Sequence, residues 1–215
     1  MSEGMRVNPT WAASLAKQLK ETRDALRARD PAEVALRSGT ACEVVAGETR
    51  VAVTFWGRRY VVSWPELSVR GNGAEDCPEP VQSAILQYLM FADGAPLENT
   101  WVSLRNLPHG SFYEQAFQSY SGNLLARTFR RDLEGFRAAA AKLGGESLAM
   151  GDAAFRFWAL PRIPLAVVFW SGGEEFPDSA QVLFDKSAGH YQHLEMLAHL
   201  GAMICERIVQ AREKR

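Results

Sequence analysis

Two runs of β-branched and aromatic residues, roughly 41–69 and 153–185, most limit what this chain can fold into. In the first, Cys42-Glu43-Val44-Val45, Arg50-Val51-Ala52-Val53-Thr54-Phe55-Trp56 and Tyr60-Val61-Val62-Ser63-Trp64 are separated by Ala46-Gly47-Glu48 and Gly57-Arg58-Arg59. Such runs broken by glycine-containing turns predict a three-strand antiparallel meander. In the second, Phe155–Leu160, Leu165–Trp170 and Gln181–Phe184 read as strands; Pro161 and Pro164 bracket a turn and Gly172-Gly173-Glu174-Glu175 makes an acidic hairpin loop. Between and around them the apolar period changes to that of helices, so the expected class is α+β, with a mainly antiparallel single sheet packed by helices.

The helices are read from spacing and stops. Trp11, Leu15, Leu19 and Leu26 recur at helical spacing from Pro9 to Arg29, a basic but interleaved solvated face ended by Asp30-Pro31. Ala32–Ser38 forms a shorter piece stopped by Gly39, and a polar loop, Gly71–Asp76, precedes a helix over Val81–Ala92. A short strand, Thr100–Leu104, leads through Pro108–Tyr113 to a long helix, Leu124–Leu143, for which Gly144-Gly145 is the stop. Leu194–Arg212 carries one apolar side and is the last helix. Ala52–Gly57 and Ala166–Ser171 echo each other; so short a match fits convergence on an apolar string better than duplication.

At 215 residues and 47% hydrophobic content the chain is expected to form one domain over 1–215, with the helix 9–29 peripheral and a core over about 32–212. Lys and Arg number 24 against 25 Asp and Glu, so no global field draws it to nucleic acid or an anionic membrane. With neither a signal-type apolar start nor a run of about 18 apolar residues, a soluble, cytoplasmic protein is expected. Cys42, Cys77 and Cys205 are odd in number and lack CxxC spacing, which reads as buried free thiols.

Motifs for nucleotide phosphates, protease zinc, an esterase elbow and calcium are all missing from the sequence, so no catalytic residue and no cofactor is assigned. Four local clusters remain. His190, His193, Glu195 and His199 place imidazoles and a carboxylate near one helix start, a set that can bind a divalent metal or lie solvated on the surface. Asp185 and Ser187 follow a strand and precede a helix, where they can face a ligand or cap local amides. Ser111 and Tyr113, in Gly110-Ser111-Phe112-Tyr113, can form a ligand lip or an ordinary packed loop. The six tryptophans, Trp11, Trp56, Trp64, Trp101, Trp158 and Trp170, with Phe55, Phe157 and Phe169, can line a flat apolar pocket, although aromatic strands more often build cores.

Gly110–Tyr113, Leu148–Leu160 with Gly151-Asp152-Ala153-Ala154-Phe155, Leu160-Pro161-Arg162-Ile163-Pro164-Leu165, and Leu183-Phe184-Asp185 continuing to Ser187-Ala188 and Tyr191 occur in an order that resembles a bacterial and archaeal family, domain of unknown function 3786 (DUF3786). The resemblance covers the chain from about Ala32 onward. It implies a setting in anaerobes, and some members carry an iron–sulfur segment of the kind seen in corrinoid proteins, which three scattered cysteines do not supply. Where relatives have a tyrosine followed by Leu and Pro or Thr, this sequence has Tyr191-Gln192-His193-Leu194. Three readings follow: a ligand- or cofactor-handling accessory of anaerobic redox or corrinoid metabolism, using Ser111, Tyr113, Asp185, Ser187, Tyr191 and Glu195; a metal-dependent enzyme using the histidine cluster; or a protein–protein adaptor. The expected partner is a small molecule or a protein, not nucleic acid or a membrane.

Overall fold

Among the described residues, strand propensity and turn chemistry divide the β-rich sequence into nine strands, while cap residues divide the rest into helices. The computed structural model describes residues 19–71, 77–173 and 176–213. The first part of the expected helix 9–29, most of the loop 71–76 and the pair Glu174-Glu175 lie outside the described residues. The chain falls into two compact units, one of residues 1–95 with 160–162 and 190–192, the other of 96–159, 163–189 and 193–215.

In the first unit, helix α1 (residues 19–27) buries Leu19 and Leu26. Helix α2 (Pro31–Ser38) starts at Asp30, whose side chain accepts from the Ala32 N–H, and stops at Gly39 in the left-handed region. Strands β1 (Ala41–Val45), β2 (Glu48–Phe55), β3 (Arg58–Trp64) and β4 (Val69–Gly71) form an antiparallel meander in that order. The first two connections are two-residue turns, Ala46-Gly47 and Trp56-Gly57, with positive φ at all four positions; that geometry matches the strand twist and needs a glycine at the second place. Trp56 therefore sits in a turn, not in the strand the sequence suggested. Alternation puts Val51, Val53 and Phe55 into the core and leaves Arg50, Ala52 and Thr54 on the outer face. Helix α3 (Glu79–Phe91) and α2 pack together, and the Tyr88 hydroxyl donates to the Ser38 carbonyl while accepting from the Arg162 N–H at 3.0 Å.

In the second unit a five-stranded sheet has the order β5-β9-β8-β7-β6, from β5 (Trp101–Ser103), β6 (Glu146–Leu148), β7 (Ala153–Leu160), β8 (Ile163–Trp170) and β9 (Ser179–Asp185). Helices α4 (Glu114–Tyr120), α5 (Gly122–Thr128), α6 (Leu133–Lys142) and α7 (Leu194–Glu213) accompany it; α5 lies on β9, and α6 packs on α7. A Cβ at Gly122 would stand 2.0 Å from the Ala180 carbonyl oxygen, so the approach of α5 to β9 requires glycine there. The Phe136 ring meets Phe129, Phe155 and Phe169 at centroid distances of 5.6, 5.9 and 5.0 Å. Each such buried ring stabilises by roughly 1.5–3 kcal/mol relative to exposure.

The α+β class and the antiparallel strands agree with the sequence expectation, but the two β-rich regions lie in two sheets, not one. Short strands β4 and β6 and helix α4 carried too few periodic residues to be recognised. The expected helix Leu124–Leu143 breaks after Thr128, because Arg131 adopts a φ of 55° and Asp132 opens α6 by accepting from the Gly135 N–H.

Candidate functional site

The residues singled out from sequence fall into three kinds of place. Asp185 is buried, and its Oδ1 accepts from the Glu98 N–H at 3.0 Å, the Ser187 N–H at 3.0 Å and the Ser187 hydroxyl at 2.6 Å. Its acceptor capacity goes into tying down the end of β9, and Ser187 is buried with it. Tyr191 is also buried, stacked on Tyr88 at 5.9 Å between ring centroids, and donates to the Ala95 carbonyl. Ser111, Tyr113 and Glu195 are exposed; the Tyr113 hydroxyl donates to Glu195 Oε1 at 3.4 Å, a long contact at the surface.

His190 Nδ1 lies 2.6 Å from Asp93 Oδ2. His193 and Glu195 are exposed at the start of α7, whereas His199 is half-buried on it, where desolvation pushes its imidazole pKa down. Among the described residues no group of three or more His, Cys, Asp or Glu side chains is placed to hold a metal ion. The cysteines fit an iron–sulfur cluster no better: Cys42 is half-exposed on β1, Cys77 is buried with its thiol pushed up to about 11 by desolvation, and Cys205 is fully buried.

The tryptophans divide likewise. Trp64 is buried, Trp158 and Trp170 are partly exposed, and Trp158 Nε1 donates to Glu146 Oε1 at 2.9 Å with Arg156 5.2 Å over its ring.

Two hollows that the sequence reading missed have more binding character. The larger, about 630 Å³, lies on the outer face of the four-stranded sheet, lined by Glu43, Glu48, Arg50, Arg59, Ser63 and Arg70 among others. Register builds it: Glu43 stands opposite Arg50, Arg50 opposite Ser63, and Val61 opposite Arg70, so one pleat face collects them all. Arg50 pairs with Glu48 at 2.6 Å and Arg59 with Glu43 at 3.1 Å, while Arg70 has no acidic partner among the described residues. Ser63 and Ser68 hydroxyls bond at 2.6 Å. The smaller hollow, about 400 Å³, is in the second unit, lined by Ala126, Arg127, Arg130, Arg131 and the segments 172–173 and 176–178. Alternate polar residues at 48, 50, 59, 63 and 70 were the available signal for the first hollow, but such a pattern is also what an ordinary solvated face looks like.

No helix among the described residues is long and apolar enough to cross a membrane. No curated protein and no solved structure gives a significant match to the chain. The family model described as Domain of unknown function (DUF3786) matches residues 30–207, and the chain belongs to that family.

Proposed function

We propose that this protein is a non-catalytic binder of an acidic small molecule, and that the outer face of the four-stranded sheet is the floor of its site. The observation that carries the reading is the hollow with Arg50, Arg59 and Arg70 around the Ser63 and Ser68 hydroxyls, a volume within the range of ligand sites. Arginine forks suit carboxylate and phosphate oxygens. Binding is favoured over catalysis because Glu43 and Glu48 are ion-paired, and among the described residues no His, Cys, Lys or Tyr lines the hollow to act as base or nucleophile. Calorimetric titration with citrate and with inorganic phosphate tests it. Saturable binding weakened about tenfold in Arg50→Ser/Arg70→Ser is expected; heat that does not saturate, or affinity indifferent to that variant, refutes the site.

The finer reading, a cofactor-handling accessory of anaerobic redox or corrinoid metabolism, rests on the family resemblance. Protein purified without air would then carry visible absorption and near-stoichiometric cobalt. Colourless, metal-free protein that still binds anions would leave the small-molecule binder and remove cofactor handling. The action of the chain as one domain is part of the same proposal. Its support is that the backbone passes between the units at Ala95–Pro96, Ala159–Leu160, Arg162–Ile163, Gly189–His190 and Gln192–His193, so neither unit is a stretch that can be cut away.

A specific observation favours the adaptor as a second reading. Phe112 is 93% exposed, with Tyr113 and Tyr120 also at the surface of the second unit. If that patch joins copies of this chain, light scattering will show a concentration-dependent mass that Phe112→Ser abolishes; a constant monomer mass excludes self-association.

A further inference from the structure

A second binding place is carried by different residues and does not rest on the reading above. Arg127, Arg130 and Arg131 all line the smaller hollow, at the end of α5 and in the turn beyond it. Cations are favoured at a helix carbonyl end, which accounts for Arg127 but not for two more after the helix has ended. Four other arginines of the second unit are matched: Arg105 with Glu114, Arg137 with Glu134, Arg156 with Glu146 and Arg212 with Asp132. The guanidinium groups of Arg127, Arg130 and Arg131 have no carboxylate partner among the described residues. Asp178 is the one acid in the described lining, and its oxygens are taken by backbone amides, Oδ1 by Gly172 N–H at 2.6 Å and Oδ2 by Arg131 N–H at 2.7 Å.

The first bond joins Gly172 to Asp178, while the second ties the turn after α5 to Asp178 and holds Arg131 at a φ of 55°, which an arginine adopts at a cost that glycine or asparagine would avoid. On the same rim Phe176 is 73% exposed. Three cations answer one dianion, and a bare ring gives a flat platform on which a second ring can stack.

We infer that this hollow binds a phosphate monoester bearing a planar ring, a mononucleotide-type ligand, with the phosphate on Arg127, Arg130 and Arg131 and the ring on Phe176. The sequence here carries none of the phosphate-binding motifs, so motif reading passes over the place.

Titration calorimetry on the full chain at low salt, using AMP, ribose 5-phosphate and adenosine, tests the inference. AMP should bind saturably, ribose 5-phosphate several-fold more weakly, and adenosine not at all. Arg127→Ser/Arg130→Ser should weaken AMP about tenfold or more, and Phe176→Ser should erase the advantage of AMP over ribose 5-phosphate. Arg50→Ser/Arg70→Ser, on the other hollow, should change neither, which separates this site from the proposed function. AMP that fails to bind, binds no tighter than ribose 5-phosphate, or is indifferent to the Arg127/Arg130 variant overturns the inference. The acidic pair in the 172–178 segment supplies the remaining control: if only Glu174→Gln/Glu175→Gln binds AMP, the arginines serve the chain's own carboxylates and the inference fails.

Discussion

Strand β2 with the turn residue that follows it, and strand β8, carry nearly the same string, Ala52-Val53-Thr54-Phe55-Trp56 and Ala166-Val167-Val168-Phe169-Trp170, yet the strands live in different surroundings. In β2 Val51, Val53 and Phe55 are buried while Arg50 and Ala52 are half-buried and Thr54 exposed; in β8 every residue from Ile163 to Phe169 is buried. A strand with one wet face can tolerate charge at alternate positions, and β2 duly carries Glu48 and Arg50. A strand with neither face wet cannot, and β8 has no charged residue. The outer face of the first sheet can therefore bear a binding hollow, whereas β8 can only be core.

The sharpest test substitutes the matched alanines. Ala166→Arg places a charge where the side chain is fully buried and should cost several kcal/mol, enough to prevent folding. Ala52→Arg, on the outer face, should stay within about 1 kcal/mol. Denaturant unfolding that finds the two alike would break the contrast.

Next in size are the buried polar anchors of each unit. Asp185→Ala strips an acceptor from three donors and should destabilise by about 3 kcal/mol. Tyr88→Phe leaves the Ser38 carbonyl and the Arg162 N–H unanswered and should cost about 1–2 kcal/mol by the same denaturation. Equal losses would mean that the second unit is no more dependent on its anchor than the first.

On the outer face of the first sheet, Arg50→Ser should change stability by less than about 0.5 kcal/mol despite removing an ion pair, since the two side chains keep 37% and 41% of their surface in water and solvent screens the pair. A much larger loss would show that Arg50 is there for the fold and not for a ligand.

The smallest effect is acid sensitivity. Bonds from Arg156 first, then Trp158, hold the Glu146 carboxyl below its ordinary range, more than offsetting desolvation. For Asp93, desolvation is the largest single influence and raises the pKa, but the bonds from His190 and the Ala95 N–H, together with the charge of His190 and the residue's own N–H, lower it and the net shift is down. A depressed carboxyl stabilises the fold above the ordinary carboxylate range and loses that contribution as pH falls through its folded value. Melting temperature should thus drop below that range, and Glu146→Gln should flatten part of the drop; a Glu146→Gln profile parallel to the parent would deny Glu146 any share.

Much of the fold was legible because it depends on local chemistry. Gly39 stops α2, Ala46-Gly47 turns the first hairpin, and the apolar side of α7 runs from Leu194 as its spacing suggests. The break at Arg131 was not legible, because an arginine in the left-handed region is held there by Asp178, 47 residues away. The candidate site was hardly legible at all. Asp185, Ser187 and Tyr191 have the chemistry of a site, and Asp185 Oδ1 and the Ser187 and Tyr191 hydroxyls bond to neighbours, while Arg50 and Arg70 looked like solvated surface until strand register set them on one face.

By itself the sequence determined the class, the antiparallel pairing within each β-rich run and the family, since strand propensity, turn residues and ordered motifs are properties of short stretches. Only the tertiary structure decided that the described strands form two sheets, that no metal-holding group of side chains forms among the described residues and that arginines line two hollows. Those outcomes depend on which faces meet across distant parts of the chain, and two nearly identical strings such as Ala52–Trp56 and Ala166–Trp170 contain nothing that distinguishes a half-wet strand from a buried one.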